Sequence, residues 1–128
     1  MIPKRSERVA EEIHKEISSI LRRSVKDPRL HRVTITHIKV SPDLKHAGVY
    51  FSIIGGVTAR EDALNGFKRA GQFIRKELGR HLKLRWTPDL RFYYDDSIEH
   101  AVEMSRTLNQ LKEERERTPE TNREHDPE

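Results

Sequence analysis

The sequence predicts an α+β fold of two layers, with three strands in one layer and helices gathered on one face of them. Three observations predict it. An apolar stripe at helical spacing opens the chain, two runs of alternating apolar and polar residues follow, and a long second stripe leads into a third alternating run. The expected order is therefore helix, strand, strand, helix, kink, helix, strand, and then an accessory C-terminal helix.

Val9, Ile13, Ile17, Ile20 and Leu21 form the first stripe. Ser6 is the expected N-cap, Glu7 suits the positive end of the helix dipole, and Asp27-Pro28 ends the element. Val33, Ile35, Ile38 and Val40 make a strand whose alternation slips at His37-Ile38, where a bulge would restore the face. Ser41-Pro42-Asp43 is a turn signal, and Ala47, Val49, Phe51 and Ile53 continue as a second strand. The two strands read as an antiparallel hairpin.

Thr58 and Glu61 form a capping-box pattern after Gly55-Gly56, and Ala63, Leu64, Phe67, Ala70, Ile74 and Leu78 carry the second stripe towards Leu82. Each internal glycine costs a helix about 1 kcal/mol relative to alanine. Gly66 and Gly71 therefore predict two helices meeting at a kink around Ala70-Gly71. Leu90, Phe92 and Tyr94 then share one face of a third strand, with Arg91 and Tyr93 on the other. Asp96 and Glu99 open the last helix, along which Ile98, Val102, Ser105 and Leu108 or Asn109 line one side. Residues 1–111 are expected to form one domain. From Lys112 onward no hydrophobic residue occurs, which predicts a disordered charged tail over 112–128.

Charge is distributed unevenly. Residues 1–95 carry 20 basic and 11 acidic side chains, a net +9, whereas residues 96–128 carry 5 and 10, a net −5. A basic body implies a polyanionic partner, nucleic acid or an anionic membrane surface. No cysteine is present, which removes disulfides, thiolate metal sites and cysteine nucleophiles. No signal peptide or membrane span is visible in the sequence, and a soluble cytoplasmic protein is expected.

The densest basic stretch runs from Lys68 to Arg91. It contains Lys68, Arg69, Arg75, Lys76, Arg80, Lys83, Arg85 and Arg91 against only Glu77 and Asp89. Lys68, Arg69, Gln72, Lys76, Arg80 and Lys83 recur three or four residues apart, which makes a basic ridge opposite the apolar one. Cations so placed release counterions from a phosphate backbone. A solvated charged face is the alternative, and the scarcity of acids for i,i+4 pairing favours binding. Gly71 and Gln72 fall at the expected kink, where the start of a second helix would offer backbone N–H groups to an anion. Lys68, Arg69, Gly71, Gln72, Arg75, Lys76, Arg80, Lys83 and Arg85 are therefore the candidate phosphate-binding residues, which the resemblance given below implies bind RNA. Arg22, Arg23, Lys26, Lys39 and Lys45 are candidate secondary contacts.

Other chemistry is weakly signalled. Trp86, Tyr93 and Tyr50 carry rings that can stack on bases, although packing is the commoner role, and Trp86 beside strand three is expected to be partly buried. His31, His37 and His46 lack metal-ligand spacing. Asp95-Asp96 has no obvious third carboxylate, and Asp96 suits a helix cap. No catalytic residue, metal or cofactor is expected.

The element order resembles a type II KH domain, and the wording of the chain is similar to the bacterial ribosome-binding factor A family. The residues that carry the likeness are Asp27-Pro28-Arg29, Ser41-Pro42-Asp43-Leu44, Ala47 to Phe51, Ala70 to Leu78, Leu84-Arg85, Pro88-Asp89-Leu90 and Phe92 to Ser97, spread over about residues 5–112. The resemblance implies a KH-like domain that binds the small (30S) ribosomal subunit and assists late maturation of its ribosomal RNA. It implies no membrane, no small-molecule substrate and a monomer. Within the family an Ala-x-Gly kink replaces the GxxG loop of other KH domains; the matching residues here are Ala70-Gly71-Gln72, with the glycine one place early. Without a GxxG loop, shape and phosphate contacts are expected in place of base-by-base reading. Two other classes remain open: an RNA-processing hydrolase using His and Asp side chains, and an adaptor acting through the last helix and acidic tail.

Overall fold

Val9, Ile13, Ile17, Ile20 and Leu21 meet on one side of the first helix, α1 (Arg5–Arg23), and all five are buried. The computed structural model describes residues 4–117, with Arg117 described by its backbone alone. Helix α1 starts before the expected Ser6 cap. Lys4 takes the cap position without a side-chain hydrogen bond, and its carbonyl accepts from Glu7 N and Arg8 N at 3.0 and 3.2 Å. Serine is only a mild helix breaker, so the helix runs through it. Asp27 does not simply stop the chain. Its side chain caps a single 3-10 turn, Pro28–Leu30, by accepting from Arg29 N.

Strands β1 (Thr34–Val40) and β2 (His46–Ser52) pair antiparallel as expected, with the register shift between Ile35 and His37. The bulge thus sits at Thr36, one residue before the slip in the pattern. It leaves Ile35, Ile38 and Val40 all on the buried face. The turn between the strands follows its sequence signal. Ser41 Oγ donates to Asp43 Oδ1 at 2.6 Å, Asp43 Oδ1 also accepts from Lys45 N, and Leu44 takes the left-handed conformation at φ 63°.

Helix α2 (Gly56–His81) is one uninterrupted helix of 26 residues. The helix runs through Ala70-Gly71 without a break, so the expected junction of two separate helices is not found there. Gly66 is explained by packing. A Cβ at that position would stand 3.1 Å from two carbons of Leu30, so the glycine lets the 3-10 turn close onto the helix. The start also differs from expectation: Gly55, at φ 132°, is the cap residue, and Thr58 lies inside the first turn. Strand β3 (Asp89–Tyr94) runs parallel to β2, giving the sheet order β1-β2-β3. A parallel neighbour needs a crossover, and α2 supplies it.

Both helices cover the same side of the sheet, with α1 packed on β1 and on α2, and α2 packed on β3 and the 3-10 turn. Phe67 of α2 is the hub. Its ring lies 4.2 Å from Phe92 in a near-parallel stack and 4.9 Å from Phe51. Leu90, Phe92 and Tyr94 face this core, as their alternation predicts.

Residues up to Asp95 form one compact unit, and a second begins at Asp96. In the second unit, α3 (Ser97–Arg117) starts directly after Asp96, whose carboxylate lies 3.1 Å from His100 Nε2. The helix passes through Lys112, where a disordered tail was expected, and reaches Arg117. Its last turns are Glu, Lys and Arg, which favour helix even without apolar residues. Helix α3 thus continues across the expected 111/112 boundary. Residues 118–128 of the expected tail lie outside the described residues.

Candidate nucleic-acid interface

Helix periodicity places Phe67, Ile74 and Leu78 of α2 inward and leaves Lys68, Arg69, Gln72, Lys76 and Arg80 exposed. Among the described residues Lys68, Lys76 and Lys83 make no ion pair, so their charges are uncompensated. Arg80 donates to Glu77 Oε1 at 3.0 Å, three residues back, and is the one ridge cation with an acid on its own helix.

A groove of about 590 Å³ runs between α2 and β3. Lys68, Gly71, Gln72 and Arg75 line it from the helix, and Asp89, Leu90, Arg91, Phe92 and Tyr93 line it from the strand. A second hollow of about 350 Å³ shares Gln72 and Arg75 with the first and adds Lys76, Gly79, Arg85, Trp86 and Thr87. Six of the nine primary candidates line these two hollows. Arg69, Arg80 and Lys83 are exposed outside them.

Arg75 has a different task from its neighbours. Its Nε donates to Pro88 O at 3.1 Å and its Nη2 to Thr87 O at 2.9 Å, with Asp89 Oδ1 at 3.3 Å. It thereby ties residues 82–88 to α2. Gly79 clears the space for this, because a Cβ there would stand 2.6 Å from Thr87 Oγ1. The tied segment presents Arg85 and Trp86. Trp86 is 70% exposed, which overturns its expected packing role, and the Arg85 guanidinium lies 5.9 Å from its ring centroid.

The secondary candidates do not form one surface. Lys26 lines a separate hollow with Arg69, Ala70 and Phe73, and Arg22 borders another beside His14 and His31. Arg23 is exposed in the last turn of α1. Lys39 is exposed on β1, and Lys45 in the β1–β2 turn. Near the first group, Asp27 is held at a pKa of about 2 by the fork it forms with Arg29 and by Arg29 N, with Arg69 adding to the effect. The partner Arg29 is raised in turn. This pair braces the 3-10 turn. The Asp-Pro-Arg motif is accounted for by structure.

The pattern of the ribosome-binding factor A family matches residues 5–108. A ribosome-binding factor A of Geobacter metallireducens is 43% identical over 108 residues, covering 84% of this chain and 92% of that protein. The chain belongs to the ribosome-binding factor A family. The solution structure of a Thermotoga maritima protein described as a ribosome binding factor A superposes with a TM-score of 0.66 at 33% identity, covering 77% of this chain and 95% of the other. Coordinates of the Thermus thermophilus ribosome binding factor A, fitted into the cryo-EM map of its 30S complex, share the fold at a TM-score of 0.53 and 24% identity, covering 72% and 92%.

In this member of the family the residues weighed for hydrolysis, Asp95 and His31, have other partners. Thr36 Oγ1 donates to Asp95 Oδ2 at 2.6 Å, which pins the bulge of β1 to the end of β3. His31 Nε2 lies 3.3 Å from Val25 O. Among the described residues no three His, Asp or Glu side chains are grouped to hold a metal ion, and no helix is long and apolar enough to cross a membrane. Sequence reading left Arg91 out of the site and gave Tyr93 little weight. The alternation of β3 already put the two on one face, but not beside α2. That proximity depends on the parallel pairing of β3.

Proposed function

We propose that this ribosome-binding factor A relative is an RNA-binding assembly factor that docks on the small ribosomal subunit and assists late maturation of its ribosomal RNA, without catalysing a reaction. One observation carries the reading: the exposed cations Lys68 and Lys76, without an ion pair among the described residues, line two adjoining hollows that share Gln72 and Arg75. Backbone phosphates of folded RNA fit such a line of charge. The Thermus thermophilus relative fitted in a 30S complex supports the choice of partner.

We read the α+β order as KH-like, with the continuous helix α2 running through the place where other KH domains carry a GxxG loop. Phosphate and shape contacts therefore carry affinity. The factor acts as a monomer in the cytoplasm, and needs no cofactor. It favours one conformation of the ribosomal RNA by binding it more tightly than the other.

Co-sedimentation with small subunits tests this. Wild type pellets with free small subunits more than with assembled ribosomes, and Lys68→Glu/Lys76→Glu stays in the supernatant. Equal pelleting of both forms rejects the groove. Arg75→Glu is a poor probe because it also cuts the tie to Thr87 and Pro88. Turnover of RNA by the purified protein, lost on Asp95→Asn, would point to a hydrolase. Loss of partner after truncation at Lys112, with RNA affinity intact, would point to an adaptor.

A further inference from the structure

The face of the sheet turned away from α1 and α2 carries a row of rings, and its β3 edge, Arg91 and Tyr93, also borders the groove beside α2. His37, Tyr50 and Tyr93 are direct cross-strand neighbours on β1, β2 and β3. Tyr50 and Tyr93 stack with centroids 5.2 Å apart and planes 28° from parallel, and His37 lies 5.7 Å from Tyr50. The next row on the same face is Lys39, Gly48 and Arg91. Gly48 is what allows the two tyrosines to lie across the sheet: a Cβ there would stand 3.3 Å from Tyr50 Cε2 and 3.4 Å from Tyr93 Cε2. The row of rings therefore lies next to two exposed cations, Lys39 and Arg91.

We infer that this outer sheet face is a second RNA-binding surface, one that takes unpaired nucleotides by stacking bases on Tyr50 and Tyr93 while Lys39 and Arg91 hold the flanking phosphates. The occupant follows from the chemistry. Every base has a face that stacks on an aromatic ring, and a strand needs cations spaced along it. The acids nearby are already engaged: Asp95 by Thr36, Asp89 by Arg75, and Asp43 by Ser41 and Lys45 N. Lys39 and Arg91 make no ion pair with these acids among the described residues. The inference deepens the proposed function and rests on its RNA partner. It adds single-stranded segments as a class of ligand that the groove beside α2 does not select.

The test is binding of a labelled oligouridylate of about six nucleotides to the full chain, followed by fluorescence anisotropy. Tyr50 is the probe because it lies outside the groove. Tyr50→Leu weakens the oligonucleotide about tenfold, Tyr50→Phe binds as wild type, and Lys39→Ala weakens it and lowers its salt dependence. Crosslinks from 4-thiouridine fall on the strand peptides holding Tyr50 and Tyr93. Unchanged affinity in Tyr50→Leu, or crosslinks confined to α2, overturns the inference. So does loss of small-subunit pelleting by Tyr50→Leu with oligonucleotide affinity intact, which would assign the face to a protein. If Tyr50→Leu melts early, Lys39→Ala and the crosslink map decide. Failure of the groove reading shows in the pelleting of Lys68→Glu/Lys76→Glu, so the two ideas fail separately.

Discussion

Helices α1 and α2 lie on the same side of the same sheet, and their inner faces do the same work. Ile13 and Ile17 of α1 and Phe67, Ile74 and Leu78 of α2 are all fully buried. Their outer faces differ. Along α1 the cations Arg5, Arg8, Lys15, Arg22 and Arg23 alternate with Glu7, Glu11, Glu12 and Glu16. From Lys68 to His81, α2 has Lys68, Arg69, Arg75, Lys76 and Arg80 against Glu77 alone. A helix can contribute equally to the fold and unequally to binding, and the sign balance of its solvent face separates the two roles.

The strongest way to sharpen this is to cut the inner faces. Ile17→Ala should cost about 2–5 kcal/mol and Phe67→Ala about 3–5 kcal/mol, read from urea denaturation. Comparable losses confirm that both stripes anchor one core, whereas a loss below about 1 kcal/mol at either would detach that helix from it. The outer faces should then separate the helices. Lys68→Glu/Lys76→Glu weakens ribosomal RNA binding about a hundredfold at low salt, while Arg8→Glu/Lys15→Glu changes it by less than about threefold. With about five phosphates neutralised, the wild-type salt slope is roughly −3.5 on the single-strand scale, and the α2 double variant brings it to about −2. Equal effects from both helices would mean that net charge alone matters.

How far this was legible follows from the particular elements. The stripe of α1, the hairpin and the inner face of β3 were readable because each is a local period. The continuity of α2 was not. Gly66 and Gly71 look alike as helix breakers, but Gly66 answers to Leu30, which is distant in the chain. The extension of α3 past Leu111 is hard to read for the opposite reason, because a charged composition suits a disordered tail and a solvated Glu-, Lys- and Arg-rich helix alike. In the site, the outward cations of α2 came straight from spacing. The groove did not, because it needs the parallel pairing of β3, and a crossover leaves no trace in local pattern. Nor could sequence tell Arg75 from Lys76. One ends on two carbonyls and the other in solvent, through a loop whose path no periodicity records.

Those two neighbours give the next test. Arg75→Ala should lower stability by about 1–3 kcal/mol, since two carbonyl acceptors and Asp89 lose their donor, whereas Lys76→Ala should move it by less than about 0.5 kcal/mol. Binding should respond in the opposite order when compared in folded protein: Lys76→Ala loses a phosphate contact, and Arg75→Ala retains the exposed ridge. A thermal melt and an RNA titration on the same two variants are sufficient. Equal melting temperatures would show that residues 82–88 hold their place without Arg75.

The smallest effect is expected at the end of α1, where an acid is used for structure and not for binding. Asp27 has its carboxyl held at about 2, against 3.8 for the free side chain, first by the Arg29 fork and then by Arg29 N. A folded-state value below the unfolded one means that the unfolded chain binds the proton more readily. The contribution is therefore complete above about pH 4 and is lost as pH falls towards 2. Asp27→Asn should flatten stability over that window by removing the titrating group. Asp43, lowered by Ser41 Oγ and Lys45 N, works in the same direction in the β1–β2 turn, so Asp43→Asn is the companion measurement. The two turns differ in what they support. The Asp27 turn seats Leu30, 1% exposed, against Gly66 of α2, whereas the Asp43 turn closes an exposed hairpin end. Acid should thus loosen the α1–α2 side first, seen as faster amide exchange at Leu30 than at Lys45 when pH is lowered through the window, each corrected for its intrinsic rate. Equal protection at both turns would show that the Arg29 fork adds nothing beyond an ordinary capped turn.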